Sequence, residues 1–399
     1  MNLPQQEVRK AQLAIATAKA RPNSSVSELI DTFQRWLYLP DPGALLVVLA
    51  AAVANRMAGD PVWLLVVGPP GCGKTETLQP LSRLPGVHPA ATLTEASLLS
   101  GTPKRERSEQ ASGGLLRSIG NSGIVLLKDF GSVLSMQHEP RAAVLAALRE
   151  IFDGSWTRHL GTDGGRTLTW SGKAGLIAGC TPAIDSHHAV MASLGERFLL
   201  YRLPEALPDD LADAALAHVG CENTMRDELS AAAMSWWNSL TLPAEPVPLR
   251  SDDRQFLIAL SALVVRCRSS VERDGRSREI EFIPDSEAPG RLARTLAQLL
   301  AAMEVIGIIP GERRRLTRKV GLDCVPALRR RALEQFMAAT STQSTSQIAA
   351  ALDHPTQTVR RALEDLAAHH VITRHSQGSG KADSWELNPW TLERWESIR

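Results

Sequence analysis

Short apolar runs alternate with amphipathic stretches from about residue 44 to residue 204. The apolar runs are Trp63–Val67, Gly123–Leu127, Ala174–Ala178 and Phe198–Leu203. Their length and β-branched content are typical of strands that are buried on both faces. Between them, Pro140–Phe152 carries its apolar residues at helical spacing. Strands that alternate with helices predict an α/β fold in which helices flank a parallel sheet.

Two other patterns flank or interrupt these strands. The segment Ser155–Trp170 predicts a β-hairpin, because two strand-like halves enclose the glycine-rich turn Gly161–Gly165. Residues 1–40 have the pattern of two helices. We interpret them as a structural or adaptor segment through which a protein partner would bind.

The C-terminal segment has the element order of a winged helix-turn-helix. The predicted elements are three helices, Ala327–Ala339, Thr345–Leu352 and Gln357–His369, and two strands, Val371–Arg374 and Ser384–Leu387. Arg360 and Arg361 lie on the early turns of the third helix, where such modules contact DNA. Winged helices also bind proteins, so the pattern leaves both kinds of partner open.

Composition and charge restrict the choice of partners. The chain has 399 residues and a formal net charge of +1, so nucleic-acid affinity would come from local basic patches. The five cysteines are scattered without a C-x-x-C pair, which favours a reducing cytoplasm over a disulfide framework or a zinc site. The apolar stretch Gly43–Val53 is too short to span a membrane, and no signal peptide opens the chain. We expect a cytoplasmic protein without a membrane partner.

A phosphate-binding motif directly follows the first apolar run. Gly68–Thr75 reads GPPGCGKT and matches G-x-x-x-x-G-K-[ST] at every fixed position. The glycines let backbone N–H groups converge on the α- and β-phosphates, and the helix that follows points its positive end at them. Lys74 adds a cation for the β- and γ-oxygens, and Thr75 offers a hydroxyl to Mg²⁺. The residues predicted to bind ATP with Mg²⁺ are Gly68, Pro69, Pro70, Gly71, Cys72, Gly73, Lys74, Thr75 and Glu76.

Other segments resemble parts of AAA+ ATPases. Gly123–Phe130 is similar to their second nucleotide strand, and Leu145–Pro182 resembles the pre-sensor-1 β-hairpin insertion. That insertion marks the branch that contains the minichromosome-maintenance (MCM) helicases and the MoxR-type ATPases. Gly195–Phe198 is similar to the arginine-finger segment of MCM proteins, and Leu292–Leu296 resembles their sensor-2 helix. Similar ATPases occur on bacterial mobile elements and prophages.

The resemblance covers about Pro61–Gly307. Together with the patterns on either side of it, it predicts an N-terminal helical segment (residues 1–40), a nucleotide-binding core (41–204), a helical lid (205–310), a basic linker (311–326) and the winged-helix domain (327–399). It also implies a ring of subunits, with a hexamer as the expected size.

The resemblance further implies four catalytic residues. Asp129 would hold Mg²⁺ together with Thr75 and polarise the attacking water, and Thr181 would orient that water. Arg294 would reach the γ-phosphate within its own subunit, and Arg197 would reach it from the neighbouring subunit. Cations in these places neutralise the charge of the transferred phosphoryl group.

One position departs from the AAA+ pattern. Members of that family have adjacent Asp and Glu after the second strand, whereas this chain has Lys128 and Asp129. An ammonium group cannot accept a hydrogen bond from a water ligand of Mg²⁺. Either Asp129 performs both tasks, or another acid such as Glu150 contributes, or hydrolysis is slow.

The substrate of the ring stays open at this point. In MCM-like helicases the hairpin contacts DNA, and Arg158 and Arg166 would do so here, whereas in MoxR-type relatives the hairpin acts on proteins. Our leading hypothesis is an ATPase that works on DNA as a helicase, loader or translocase of a mobile element. The alternatives are a MoxR-like protein-remodelling ATPase and an ATP-gated DNA-binding regulator with weak hydrolysis.

Overall fold

A computed structural model describes residues 25–101, 113–161, 165–193, 196–339, 341–376 and 383–399. The helix predicted before residue 25, the hairpin tip at 162–164 and the loop at 377–382 lie outside the described residues. The chain divides into two compact units. The first contains the residues up to Ile184, Tyr201–Val247 and Gln298–Arg313, and the second contains Asp185–Leu200, Pro248–Ala297 and Arg314–Arg399. The predicted lid, residues 205–310, is therefore divided between the two units.

The described residues form the following regular elements. The strands are β1 (Trp63–Val67), β2 (Val87–Ala90), β3 (Ser122–Leu127), β4 (Ser155–Leu160), β5 (Arg166–Ser171), β6 (Lys173–Cys180), β7 (Phe198–Arg202), β8 (Glu272–Arg273), β9 (Ile280–Phe282), β10 (Gln343–Ser344), β11 (Ile372–His375) and β12 (Ser384–Leu387). The helices are α1 (Val26–Trp36), α2 (Gly43–Arg56), α3 (Lys74–Leu78), α4 (Glu95–Leu98), α5 (Leu115–Ile119), α6 (Gly131–Leu134), α7 (His138–Phe152), α8 (His188–Ser193), α9 (Pro208–Ala217), α10 (Glu222–Ser239), α11 (Ser251–Arg268), α12 (Gly290–Val305), α13 (Pro310–Asp323), α14 (Ala327–Ala338), α15 (Thr345–Leu352), α16 (Thr356–Ala368) and α17 (Pro389–Glu396).

A five-stranded sheet in the order β2-β3-β6-β1-β7 forms the centre of the fold. The pairs β2/β3, β3/β6 and β6/β1 are parallel. Every residue of β1 and β7 is buried, as expected for apolar strands that are covered on both faces. The predicted α/β fold with a parallel sheet is confirmed.

Helix α2 packs against this sheet and is buried from Gly43 to Asn55. Asn55 joins the helix to the sheet, since its amide donates to Val62 O (2.8 Å) and its Oδ1 accepts from Val62 N (2.9 Å). A side chain at Gly175 on β6 would collide with Asn55, because a Cβ there would lie 2.3 Å from its Cγ. Glycine at this strand position therefore permits the close approach of the helix.

The predicted hairpin is present as the antiparallel pair β4 and β5. Trp156, Leu168 and Trp170 bury one face of this pair, and the indole N–H of Trp170 donates to Gly120 O at 2.8 Å. The alternation of buried and exposed residues along β5 follows from the two-residue repeat of a strand with one covered face.

The C-terminal part of the second unit contains three helices, α14, α15 and α16, and the antiparallel sheet β10-β12-β11. Ser344 caps α15 in a capping box with Gln347, and this arrangement fixes the start of the helix. Five apolar residues on α15 and α16 are buried and form the core of this part: Ile348, Leu352, Val359, Leu363 and Leu366. The element order agrees with the predicted one, and its assignment to the winged-helix class stays a prediction.

The segment predicted as a basic linker, residues 311–326, is mostly helical instead, because α13 continues to Asp323. Its cations have partners within their own units. Arg314 pairs with Asp253 (2.7 Å) and Lys319 pairs with Asp323 (2.7 Å), while Arg318 lies over the ring of Trp395. These basic residues therefore take part in contacts within the fold. Less positive charge is free on this segment than its sequence suggests.

Across the described ranges, the helices are either too short or too polar to cross a membrane.

Candidate functional site

The motif Gly68–Thr75 forms the loop between β1 and α3. Gly71 and Gly73 both have φ of +80°, a left-handed conformation that glycine adopts without the steric cost paid by other residues. A Cβ at either position would meet no atom within 4 Å, so the loop opens onto free space. Gly68 N donates to Cys180 O (3.1 Å), which fixes the start of the loop against β6.

Lys74 lies folded against its own loop. Its Nζ donates to Gly68 O (2.7 Å) and Pro69 O (2.6 Å) and lies 3.5 Å from Cys72 Sγ. The ammonium group is thus held by carbonyl oxygens, which phosphate oxygens can replace with a stronger, charge-assisted hydrogen bond. Thr75 is exposed, so its hydroxyl is accessible to a metal–phosphate ligand.

The α-helix after the loop is only five residues long. Helix α3 ends at Leu78, and a 3₁₀ turn continues from Gln79 to Arg83. Pro80 explains the change, because proline lacks the N–H that the next α-helical hydrogen bond needs.

Asp129 and Thr181 follow β3 and β6, the two strands that precede β1 in the sheet order β2-β3-β6-β1-β7. Asp129 comes two residues after β3, and Thr181 comes directly after β6. Because β3, β6 and β1 are adjacent and parallel, their carboxyl ends meet at one edge of the sheet. The structure therefore brings Asp129 and Thr181 to the edge that carries the phosphate loop.

Three charged side chains surround the thiol of Cys180 at the end of β6. Burial, together with the negative charge of Asp129, raises the pKa of this thiol to about 12, although the positive charges of Lys74 and Arg202 oppose the rise. Three charged side chains thus act on one atom at the end of β6. Arg202 ends the apolar strand β7 and is 9% exposed. Sequence reasoning missed it, although an arginine that ends a buried strand is a detectable signal.

The carboxylate of Asp129 is already oriented by the backbone. Its Oδ1 accepts a hydrogen bond from Gly131 N at 2.9 Å, and the side chain is exposed. Lys128 beside it is also exposed and lines a mainly apolar cavity of about 300 Å³ together with Thr75 and Leu126. The alternative acid, Glu150, is exposed on α7.

The donor set fits a magnesium ion only in part. Within the described ranges no group of three or more His, Cys, Asp or Glu side chains could hold a metal. Magnesium commonly takes one or two protein oxygens and completes its octahedron with waters and substrate phosphates. Thr75 and Asp129 fit that smaller share, and the remaining ligands would come from the nucleotide and solvent.

A cavity of about 330 Å³ adjoins the phosphate loop on the side of α1 and α10. Gly71–Gly73 and Glu76 form one wall, and the aromatic rings of Trp36 and His218 form part of another. The two ring centroids are 4.9 Å apart with planes tilted by 57°. Among the described residues, the buried Nε1 of Trp36 has no hydrogen-bond acceptor. A flat, polar ring such as a nucleobase would suit these surroundings.

Glu76 is held at the edge of this cavity by Arg226. The guanidinium donates to both carboxylate oxygens, from Nη2 at 2.6 Å and from Nε at 3.1 Å. This bidentate pair links α3 to α10 and fixes the helix that begins in the phosphate loop. Sequence reasoning predicted Glu76 as a nucleotide-binding residue and missed Trp36, His218 and Arg226, because nothing in the sequence places them beside the loop.

Arg197 and Arg294 belong to the second unit and differ in exposure. Arg197 is 5% exposed, and the preceding Glu196 has a positive φ of 47°. Glu196 lies 3.7 Å from Arg268 Nη1 and 3.9 Å from His188 Nδ1; burial raises the pKa of its carboxyl group, and Arg268 opposes the rise. By contrast, Arg294 is exposed on α12.

The four arginines predicted to contact DNA differ in their exposure and in their existing hydrogen bonds and ion pairs. Arg158 on the hairpin donates to Leu99 O at 2.7 Å, so one of its donors is already occupied within the fold. Arg166 on the opposite strand is half-buried. Arg360 pairs with Glu364 (3.0 Å), and Arg361 is half-buried on α16.

Comparison with known proteins gives little further information. No protein-family model matches the chain, and no curated protein matches it. A solved structure described as the A form apo structure of the NrS-1 C-terminal region is similar over 59% of this chain, with 12% sequence identity and a TM-score of 0.28. The similar part spans 54% of that chain, about half its length.

Proposed function

We propose that this chain is an AAA+ ATPase that assembles into an oligomer and couples ATP hydrolysis to work on DNA. The observation that carries the proposal is the loop after β1, with Lys74 held against it, Thr181 directly after the adjacent strand β6 and Asp129 shortly after the next strand, β3. A triphosphate needs converging backbone donors, one cation and nearby groups that position water. All of these groups lie on one edge of one sheet.

ATP binding would use groups that are already close to their working positions. Lys74 would exchange Gly68 O and Pro69 O for phosphate oxygens, and the N–H groups of the open loop would cradle the phosphates. The base would enter the cavity beside Trp36 and His218. Mg²⁺, when bound with ATP, neutralises phosphate charge.

Hydrolysis would depend on Asp129 and Thr181. Asp129 would accept a hydrogen bond from the attacking water, and Thr181 would orient that water. The exposed Lys128 supplies a positive charge where the family has a second carboxylate. This observation favours one second candidate, an ATP-gated DNA-binding regulator whose turnover is slow.

Work on DNA would involve the C-terminal elements α14–α16 with their small sheet. Arg360 and Arg361 lie on the outer side of α16, whereas Val359 and Leu363 face the core. The hairpin β4–β5 contributes less free charge than its sequence indicates, since Arg158 is bonded to Leu99 O. The hairpin could therefore act on a protein instead of DNA, and the experiment below distinguishes the two substrates.

The test is an ATPase assay on the full chain, without DNA and with single-stranded or duplex DNA, alongside titration with a fluorescent ATP analogue. We expect ATP binding and a turnover that DNA stimulates. Turnover that DNA leaves unchanged would point to protein remodelling. ATP-dependent DNA binding without turnover would point to the regulator, and failure to bind ATP would overturn the whole proposal.

A further inference from the structure

The short hairpin of β8 and β9 lies against helix α16. Arg273 on β8 makes the connection: Nη1 donates to Glu364 (3.0 Å), and Nη2 donates to Asp365 (2.6 Å) and to Arg361 O (3.1 Å). Arg329 on α14 donates to the other oxygen of Asp365 at 2.7 Å. Charge-assisted hydrogen bonds of this kind are the stronger ones in proteins. The hairpin is thus fastened to the second half of α16.

The turn of this hairpin is held in one conformation by hydrogen bonds to the side chain and backbone of Asp274. Asp274 Oδ1 accepts from Arg276 N (2.9 Å) and Ser277 N (2.6 Å), and Arg278 N donates to Asp274 O (3.1 Å). Arg278 has a φ of +61°, where glycine or asparagine is the usual residue. An exposed arginine is therefore presented at a fixed place.

A groove of about 640 Å³ lies between the hairpin and α16. Its lining includes four arginines, Arg278, Arg360, Arg361 and Arg374, and two glutamates, Glu279 and Glu364. The arginines come from three separate elements, namely the hairpin turn, α16 and β11. Positive side chains that converge from several elements on one groove are typical of an anion-binding surface.

The acidic residues near the groove do not cancel all of this charge. Glu364 is shared by Arg273 and Arg360, and Asp383 is shared by Arg360 and Arg374. In contrast, the buried Nε of Arg361 has no hydrogen-bond partner among the described residues. Arg361 lines the groove and is in no ion pair within the part of the chain that the structure describes, so an anion there can meet its full positive charge.

We propose that this groove binds phosphate groups of a nucleic-acid backbone, with Arg278 and Arg361 as its principal contacts. The inference rests on the proposed DNA binding of the C-terminal elements and specifies how it occurs. Because the hairpin occupies the outer face of α16 near Glu364 and Asp365, the helix does not enter a major groove along its full length. Recognition is therefore of the backbone, and it is largely independent of base sequence.

The test uses the full chain and two labelled duplexes of unrelated sequence, with binding followed by fluorescence anisotropy over a series of salt concentrations. Arg278→Gln and Arg361→Gln each remove one cation. Arg276→Gln is the matched control, because Arg276 is exposed in the same turn but does not line the groove. Each groove variant should weaken binding to both duplexes and reduce the slope of log affinity against log salt by about 0.9. The control should behave as the wild type.

The outcomes separate this inference from the function on which it rests. If the wild-type chain binds neither duplex, DNA binding itself is wrong and the inference falls with it. If the wild type binds, and Arg278→Gln equals Arg276→Gln, the groove is wrong while DNA binding stands. Stronger binding by Arg273→Ala, which releases the hairpin, would show that the hairpin masks α16, and this result would also overturn the inference. Circular dichroism of each variant verifies folding.

Discussion

Lys74 follows β1 and Asp129 follows β3, with β6 between these two strands, and the two residues serve different steps of the proposed reaction. Lys74→Ala removes the cation on the β- and γ-oxygens, so we expect ATP binding to be lost. Asp129→Asn keeps the shape but removes the base, so binding should persist while turnover falls about 10²-fold. A fluorescent ATP analogue measures binding, and phosphate release measures turnover. Glu150→Gln is the control; turnover lost there and kept in Asp129→Asn would identify Glu150 as the acid.

The cysteines provide a chemical probe of the loop. Burial raises the pKa of the thiols of Cys180 and Cys267 to about 12 and that of Cys324 to about 11, so these thiols stay protonated and unreactive at neutral and mildly alkaline pH. Cys72 and Cys221 are half-buried. We expect these two to react with a maleimide in the native protein, and ATP to protect Cys72. Mass spectrometry identifies the labelled sites, with Cys72→Ser as control; labelling of Cys72 that saturating ATP does not slow would contradict ATP binding at this loop.

The residues that the sequence predicted for the site are contiguous, whereas the residues that it missed lie far apart along the chain. The motif Gly68–Thr75 is contiguous, so its chemistry was predicted from spacing alone. Trp36 and Arg226 reach the same site from elements distant in sequence, and their types, a tryptophan on an apolar helix face and a surface arginine, are ordinary. Only the pairing of Arg226 with Glu76 distinguishes it. Local patterns predicted the loop between β1 and α3, whereas the walls around it depend on tertiary packing.

At the scale of elements, charge runs were the least informative part of the sequence. Hydrophobic periodicity predicted four of the five strands of the central sheet, the hairpin and the C-terminal helices because it reflects burial directly, and it missed β2, which is only partly buried. The basic stretch at 311–326 suggested a free linker, but α13 places its cations next to acids and aromatic rings that lie far away in sequence. Which charges are neutralised is decided only when the elements pack.

We expect the link between α3 and α10 to contribute measurably to stability. Glu76 and Arg226 form a bidentate pair with side chains 23% and 38% exposed. A double-mutant cycle with Glu76→Ala and Arg226→Ala, read by urea denaturation, should give a coupling free energy of about 0.5–1 kcal/mol.

A second pair between the same two regions of the fold serves as the control for that cycle. Arg83 and Asp227 approach to 2.9 Å, but their side chains are 60% and 56% exposed and make a single contact. We expect their coupling to be close to zero, because solvent screens an exposed pair. Equal coupling in both cycles would show that the bidentate geometry of Glu76 and Arg226 adds nothing.

At the scale of the whole molecule, the proposed oligomer places a specific demand on Arg197. A finger that acts on a neighbouring subunit must expose its guanidinium, yet Arg197 is 5% exposed. Glu196 beside it has a positive φ, a conformation that costs free energy for a residue with a side chain, and its carboxylate faces Arg268 and His188. If Arg197 acts as a finger, this segment must therefore rearrange on assembly to expose its guanidinium.

Mixing inactive subunits tests whether Arg197 acts in trans. Arg197→Ala should lower turnover by about 10³–10⁵, the usual value of an arginine finger, and Lys74→Ala should be inactive for lack of nucleotide. In a mixed oligomer, an intact Arg197 from the second variant lies beside an intact loop in the first, so part of the activity should return. Arg294→Ala mixed with Lys74→Ala is the matched control and should stay inactive, because Arg294 is proposed to act within its own subunit. If oligomers that contain both Arg197→Ala and Lys74→Ala form but stay inactive at every ratio, while Arg197→Ala alone melts at a lower temperature, Arg197 is a buried structural residue and not a finger.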